Sequence, residues 1–208
     1  MKGKFITLEG TEGVGKSTNI RCIEEWLIAR DIDFVTSREP GGTDLGEKIR
    51  ALLLDHHSGS VDAVAELLLI FASRAQHLSE KILPALNSGV WVLCDRFTEA
   101  TFAYQGSGRG LAIESIQTLA NLVQGTLKPD LTLVLDIDPR VGLARVDERG
   151  MRDRFEDEDI IFFDRVRQGY LRQITEQPER FCLINAEQTA AQVATDIYEA
   201  LNNFVVRC

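Results

Sequence analysis

Five short runs of apolar, largely β-branched residues recur along the chain with helix-length segments between them, and this alternation restricts the fold more than any other feature. The runs are 5–8, 34–36, 90–94, 131–135 and 181–184. Each is close to continuously apolar, as a strand covered on both faces requires. The intervening segments 17–30, 43–54, 61–86, 113–123, 140–149, 160–176 and 189–204 read as helices. Repeated strand–helix–strand units imply an α/β fold, a doubly wound parallel sheet of five strands with helices on both faces and right-handed crossovers. No internal repeat, low-complexity tract or linker interrupts the pattern, so residues 1–208 are expected to form a single domain.

Charge and cysteine usage narrow the setting. The chain carries 23 Lys and Arg against 32 Asp and Glu, a formal net charge of −9. That balance argues against general binding to nucleic acid or anionic membranes, so basic clusters must be read as local sites. No apolar run approaches the roughly 20 residues of a membrane span, and the Met1–Lys4 start leads directly into a strand rather than a leader. Cys22, Cys94, Cys182 and Cys208 are widely spaced with no metal-binding pattern, and the three histidines do not cluster with them. A reducing, cytoplasmic setting is expected. Two segments look mobile: 106–110, with three glycines in five residues, reads as a solvated loop, and 149–154 carries three arginines after a helix stop.

Charged residues gather where strands end. The first strand runs into Glu9-Gly10, the second into Arg38-Glu39, the third into Asp95-Arg96 and the fourth into Asp136. In an open parallel sheet that edge is where ligands bind. The run Gly10-Thr11-Glu12-Gly13-Val14-Gly15-Lys16-Ser17 matches G-x-x-x-x-G-K-[ST] between a strand and a helix. Its glycines let backbone N–H groups converge as an anion nest, and the helix that follows adds about half a positive elementary charge. Residues Gly10 to Ser17, with Thr18 beside them, are the expected triphosphate cradle. Lys16 would reach the β- and γ-phosphates and the Ser17 hydroxyl would ligate Mg²⁺. A GTPase needs an Asn-Lys-x-Asp motif, which the chain lacks, and a transporter-type ATPase needs a longer chain. A small kinase with a second anion site remains.

Further motifs carry a resemblance. Arg38-Glu39-Pro40-Gly41-Gly42-Thr43, Asp95-Arg96, Phe71 with Arg74, Tyr104-Gln105-Gly106 with Gly108-Arg109-Gly110, Pro129 through Asp136, and Arg167-x-x-Tyr170-Leu171 lie in the order and spacing of the thymidylate kinase family. The chain resembles that family over nearly its whole length, as a P-loop NTPase fold. The resemblance implies transfer of the ATP γ-phosphoryl to dTMP, giving dTDP for dTTP synthesis, with Mg²⁺ as cofactor and a homodimer as the assembly. It implies that Arg38 and Arg96 hold the dTMP phosphate, that Asp95 orients Mg²⁺ or its water, and that Phe71 stacks on thymine while Arg74 bonds its O4. It also gives Thr101 and Gln105 a place beside the base, Tyr104 one against the sugar 2′ position, Glu12 one near the 3′-hydroxyl and Tyr170 one in the acceptor site. Ala100 and Phe97 depart from the family pattern, which more often has polar residues there. The apolar stretch 61–71 fits a dimer face and a buried core equally.

In the family the charge on the moving phosphoryl comes either from an arginine in the phosphate loop or from a lid. Glu12 is followed here by Gly13, and Arg149, Arg152 and Arg154 lie in the segment 147–157. The chain is similar to the bacterial lid-arginine type, with Arg149 and Arg154 matching best as catalytic residues beside Lys16, Asp95 and Arg96. A deoxynucleoside kinase or another nucleoside monophosphate kinase is the alternative, and a non-catalytic nucleotide switch a further one. Paired acceptor arginines speak against a nucleoside kinase, and an intact Lys16, Ser17 and Asp95 against the switch.

Overall fold

The computed structural model describes residues 3–56, 60–150 and 152–206, without the Arg149 side chain. Five strands form one all-parallel sheet: β1 (Phe5–Gly10), β2 (Phe34–Arg38), β3 (Trp91–Asp95), β4 (Leu131–Asp136) and β5 (Phe181–Asn185), in the order β2-β3-β1-β4-β5. The helices are α1 (Lys16–Ile28), α2 (Asp44–Leu54), α3 (Ala63–His77), α4 (Leu83–Asn87), α5 (Thr98–Thr101), α6 (Ile113–Gln124), α7 (Pro139–Arg149), α8 (Ile160–Glu176) and α9 (Ala190–Val206). The chain leaves β1 toward β2 on one side and later crosses from β3 past β1 to β4. The carboxyl ends of β1 and β3 therefore flank the crevice at which such sheets bind ligands.

Side-chain alternation divides the core. Ile6 and Leu8 of β1, with Leu133 and Leu135 of β4, pack against Ile23 and Leu27 of α1 and Val193, Ile197 and Leu201 of α9. On the opposite face, Phe5, Val92 and Cys94 meet Leu78 and Ile82, and Val134 meets Phe162, Phe163 and Val166 of α8. Both faces are covered, which accords with strand sequences that are largely apolar.

Two expectations need correction. The segment 61–86 is not one uniform helix: α3 passes into a π-helical turn at Leu78–Ile82 and then into α4. Pro84 lacks an N–H and cannot continue the ladder, so the Leu83 N–H bonds Leu78 O and the turn widens. Residues 106–110 are not simply a solvated loop either. Phe102–Gly108 is a π-helical segment continuing α5, with Gly106 and Gly108 buried. A Cβ on Gly108 would stand 2.6 Å from the Phe162 ring, and one on Gly169 would stand 2.5 Å from Ser107 Oγ. Glycine here serves close packing against α8.

Candidate active site

At the end of β1 the backbone turns through Gly10 to Gly15 and enters α1. Gly13 and Gly15 have φ of 70° and 87°, a region that side chains with a Cβ adopt at a cost. Gly13 is also fixed by space, since a Cβ there would stand 2.0 Å from Gly142 O of α7. The N-cap of α1 is Gly15, which offers no side-chain acceptor, so the first N–H groups of the helix keep their capacity for an anion. Lys16 Nζ donates to Gly10 O at 3.3 Å and Thr11 O at 3.0 Å, folding its ammonium back over the loop. Burial, reinforced by the Arg96 charge, pushes its pKa down to about 8. An arriving polyanion would favour the charged form and raise the pKa again.

A cleft of about 500 Å³ opens beside this loop. Its donor side is lined by Glu12 to Thr18, with Gly10 and Thr11 forming the turn behind. Opposite them stand Arg50, Ile70, Arg74, Asp95, Arg96, Thr101, Tyr104 and Gln105, brought from four separate segments.

Arg96 is the pivot. Its φ of 71° lies in the left-handed region, a strain of about 1–3 kcal/mol that neighbouring contacts must hold. Its Nη1 donates to Gly10 O at 2.8 Å and to the Tyr170 hydroxyl at 3.2 Å, and Nη2 donates to Glu12 Oε1 at 2.9 Å. The guanidinium stacks 4.8 Å from the Tyr104 ring centre, while the Tyr104 hydroxyl donates to the Glu12 carboxylate at 2.6 Å. Next to it, Asp95 Oδ1 is buried without a hydrogen-bond partner, and Asp95 shares the cleft with Ser17. A buried orphan carboxylate oxygen in the same cleft as the phosphate-loop hydroxyl suits a hard cation. Among the described residues no group of three or more His, Cys, Asp or Glu side chains converges as a metal site. Magnesium held mainly by phosphates and water needs none.

Arg74 is built in as firmly. Its Nε donates to Glu39 Oε2 at 2.7 Å and its Nη2 to Thr101 Oγ1 at 2.9 Å, while Nη1 has no partner. Glu39 in turn accepts from His77 at 2.9 Å, and His77 meets Ser37 at 2.6 Å. The 38–43 segment is thereby locked to α3, with Gly41 N–H donating to Ser73 Oγ at 3.1 Å.

Several residues singled out from sequence do not face the cleft. Phe71 belongs to a core cluster with Leu67, Ile116 and Ala120. Its ring centre lies 4.8 Å from the Arg74 guanidinium, and Ile70, one turn before Arg74, lines the cleft together with Arg74. An i, i+3 pair and an i, i+4 pair share a face almost equally well, so spacing alone could not choose. Arg38 is paired with Glu47 at 2.7 Å in a groove that adjoins the cleft through Ser17 and Asp95, and it does not itself line the cleft. Arg50 of α2, bonded to Pro40 O at 3.0 Å, takes the place facing Asp95 and Arg96. Its signal was a cation beside the buried residues Ile49 and Leu53 of an amphipathic helix. Tyr170 is buried behind Arg96, its hydroxyl donating to Glu9 at 2.8 Å. Arg154 donates to Leu53 O at 2.8 Å and to the buried Glu66 at 2.7 Å, which also holds Gln105 and Arg109. Arg152 is held by Asp147 at 2.7 Å. The Arg149 side chain lies outside the described part of the molecule. Arg145 of α7, unremarked in the sequence, lines the donor side and reaches Gly13 O at 3.4 Å.

The geometry can be set beside known proteins. The family model described as thymidylate kinase matches residues 8–197. A thymidylate kinase of Teredinibacter turnerae is 60% identical over 205 residues, covering 99% of this chain and 100% of that one. A thymidylate kinase of Ectopseudomonas mendocina is 53% identical over 208 residues, covering 100% and 99%. The crystal structure of thymidylate kinase from Ehrlichia chaffeensis superposes with a TM-score of 0.78 at 31% identity, covering 97% of this chain and 99% of that one. With a match of this extent on the fold, the loop and the cleft together, the chain belongs to the thymidylate kinase family.

Proposed function

We propose that this chain phosphorylates dTMP to dTDP with ATP in the cleft between the phosphate loop and Arg96. The single observation that carries the assignment of parts is the opposition of two cationic walls: Lys16 and an open helix N-terminus on one side, Arg50 and Arg96 on the other. A donor triphosphate and an acceptor monoester repel each other, and fixed cations on both sides offset that repulsion.

The residues divide the work as follows. Backbone N–H groups from Gly13 to Thr18 and Lys16 hold the β- and γ-phosphates, and Arg145 closes the donor side. Arg96 and Arg50 hold the dTMP phosphate, with charge-assisted bonds contributing about 1.5–3 kcal/mol each. Arg74, whose Nη1 lacks a partner, donates to the pyrimidine O4, while Ile70, Thr101 and Gln105 border the base. Glu12 braces Arg96 and Tyr104 beside the acceptor sugar. The attacking oxygen belongs to an already ionised phosphate, so no general base is needed. The γ-phosphorus forms a bond to it while the bond to the β-phosphate oxygen breaks, leaving ADP. Ser17 and Asp95 would hold Mg²⁺, which when bound neutralises charge on the donor phosphates. Arg149 keeps the role of bringing positive charge to the moving group from a lid at about 147–157, part of a single domain. Arg154 ties that lid to α2 and α3 through Leu53 and Glu66.

A homodimer is supported by Val64 and Leu68, one turn apart on α3 and each 52% exposed, with Leu45 exposed on the neighbouring α2. The free thiols of Cys22 and Cys94 accord with the cytoplasm. Among the described residues no helix is long and apolar enough to cross a membrane. ADP release measured with dTMP, dUMP, dCMP and thymidine tests the function. Turnover is expected to be fastest with dTMP; activity on thymidine but not dTMP overturns the reading.

A further inference from the structure

Strand β1 ends in a carboxyl group that none of the steps above employs. Glu9 is fully buried, and the alternation of the strand puts it on the same face as Phe5 and Thr7. Both oxygens are engaged. Oε1 accepts the backbone N–H of Phe97 at 2.7 Å, and Oε2 accepts the hydroxyl of Tyr170 at 2.8 Å.

Each of these bonds leads to Arg96. The Phe97 N–H is one peptide beyond the left-handed residue, and the Arg96 N–H is held on the other side by Leu8 O at 3.0 Å. The two anchors, from adjacent residues of β1, bracket the unusual backbone step. The Tyr170 hydroxyl, by donating its hydrogen to Glu9, turns its lone pairs toward Arg96 Nη1 at 3.2 Å. Backbone and side chain of Arg96 are thus oriented by one carboxyl group.

We propose that Glu9 is a positioning residue for the acceptor phosphate: through the Phe97 amide and Tyr170 it aims the Arg96 guanidinium across the cleft. This rests on the reading of Arg96 as the dTMP-phosphate ligand. A buried carboxyl is costly in this position unless its hydrogen bonds offset the desolvation, and here both oxygens serve donors that lead to Arg96. Burial, with Glu99 adding to it, pushes the Glu9 pKa up to about 8, against the lowering influence of Arg96, Tyr170 and the Phe97 amide. The charged groups around it are Arg96, Glu99 (itself paired with Arg180 at 2.7 Å) and Lys16. Once protonated, Glu9 can donate to Tyr170 instead of accepting, which reverses the polarity of the hydroxyl seen by Arg96.

The test compares Glu9→Gln, Tyr170→Phe, the double variant and Arg96→Ala in the full chain. Steady-state constants for dTMP are measured from pH 6 to 9.5 with ATP saturating, so that Lys16 is already engaged, alongside KM for ATP and thermal melting. Above pH 8 Glu9→Gln should lower kcat/KM for dTMP by about tenfold to a hundredfold, converging on the wild type toward pH 6 where Glu9 is itself protonated, while leaving KM for ATP within about twofold and abolishing an inflection near pH 8. Tyr170→Phe should act in the same direction, and the double variant should be no worse than the worse single one. Unchanged dTMP kinetics in Glu9→Gln at every pH, or single effects that multiply, overturns the proposal. If Glu9→Gln fails to fold, wild-type dTMP kinetics in Tyr170→Phe overturns it. Arg96→Ala with normal dTMP kinetics removes the underlying reading of Arg96 instead. An impaired Arg96→Ala beside a normal Glu9→Gln removes only the role of Glu9.

Discussion

The donor wall of the cleft is mainly one continuous stretch of backbone, with Arg145 of α7 beside it, whereas the opposite wall is assembled from side chains of α2, α3, the end of β3 and the segment from α5 into Phe102–Gly108. On the donor side, the positive φ of Gly13 and Gly15 and the uncapped start of α1 create the anion site within eight residues. On the acceptor side, no two of the leading residues Arg50, Arg74 and Arg96 are neighbours, and each is aimed by a partner remote in sequence: Pro40, Glu39 and Glu12. A local site survives any rearrangement that leaves its turn intact. A distributed one depends on every contact behind it, which is where substitutions should divide the two walls.

The largest effect is expected where the acceptor wall is confused with the core. Phe71→Ala should cost about 3–5 kcal/mol of stability, as removal of a buried ring does, with little specific loss of dTMP affinity in the protein that remains folded. Denaturant titration beside the KM for dTMP decides it; near-normal stability with a large rise in KM would return Phe71 to the site. Lys16→Ala probes the donor wall and should reduce kcat/KM by about 10²–10³-fold with melting little changed. Within the acceptor wall, Arg50→Ala should raise KM for dTMP by about 10–100-fold and Arg38→Ala by much less, because Arg38 is paired with Glu47 outside the cleft. The reverse ranking would show that the bound state recruits Arg38.

Arg154→Ala sharpens the contrast at the lid. Leaving one contact of the buried Glu66 unfilled should cost about 1–3 kcal/mol, since Arg109 and Gln105 still serve that carboxylate. Pairing it with Glu66→Gln in a double-mutant cycle should show strong coupling in stability. An Arg154→Ala variant of unchanged stability and much lower kcat would give the residue back a direct part in transfer.

Much of this was legible from the chain alone. Strand runs, the phosphate loop and the helix 160–176 follow from periodicity, glycine placement and capping, all of which act over a few residues. The Pro84 turn was written in the sequence too, though reading it requires knowing that the helix continues past the proline. Residues 106–110 resisted because three glycines signal a loop unless α8 is known to press against them. The sites at Ile70, Arg50 and Glu9 were hidden for a related reason: a cation beside an apolar helix face or a carboxylate at a strand end says nothing of its partner.

The sequence by itself determined the α/β architecture, the anion-binding turn and the family to which the chain belongs, because these depend on short-range backbone preference and on motifs contiguous in the chain. The tertiary structure alone decided that Arg50 and Ile70 line the cleft while Arg38 and Phe71 do not, and what holds Arg96 in its left-handed conformation. Those choices turn on rotations of less than half a helical turn and on hydrogen bonds between residues as far apart as Glu9 and Tyr170. They are fixed only when the whole core has packed.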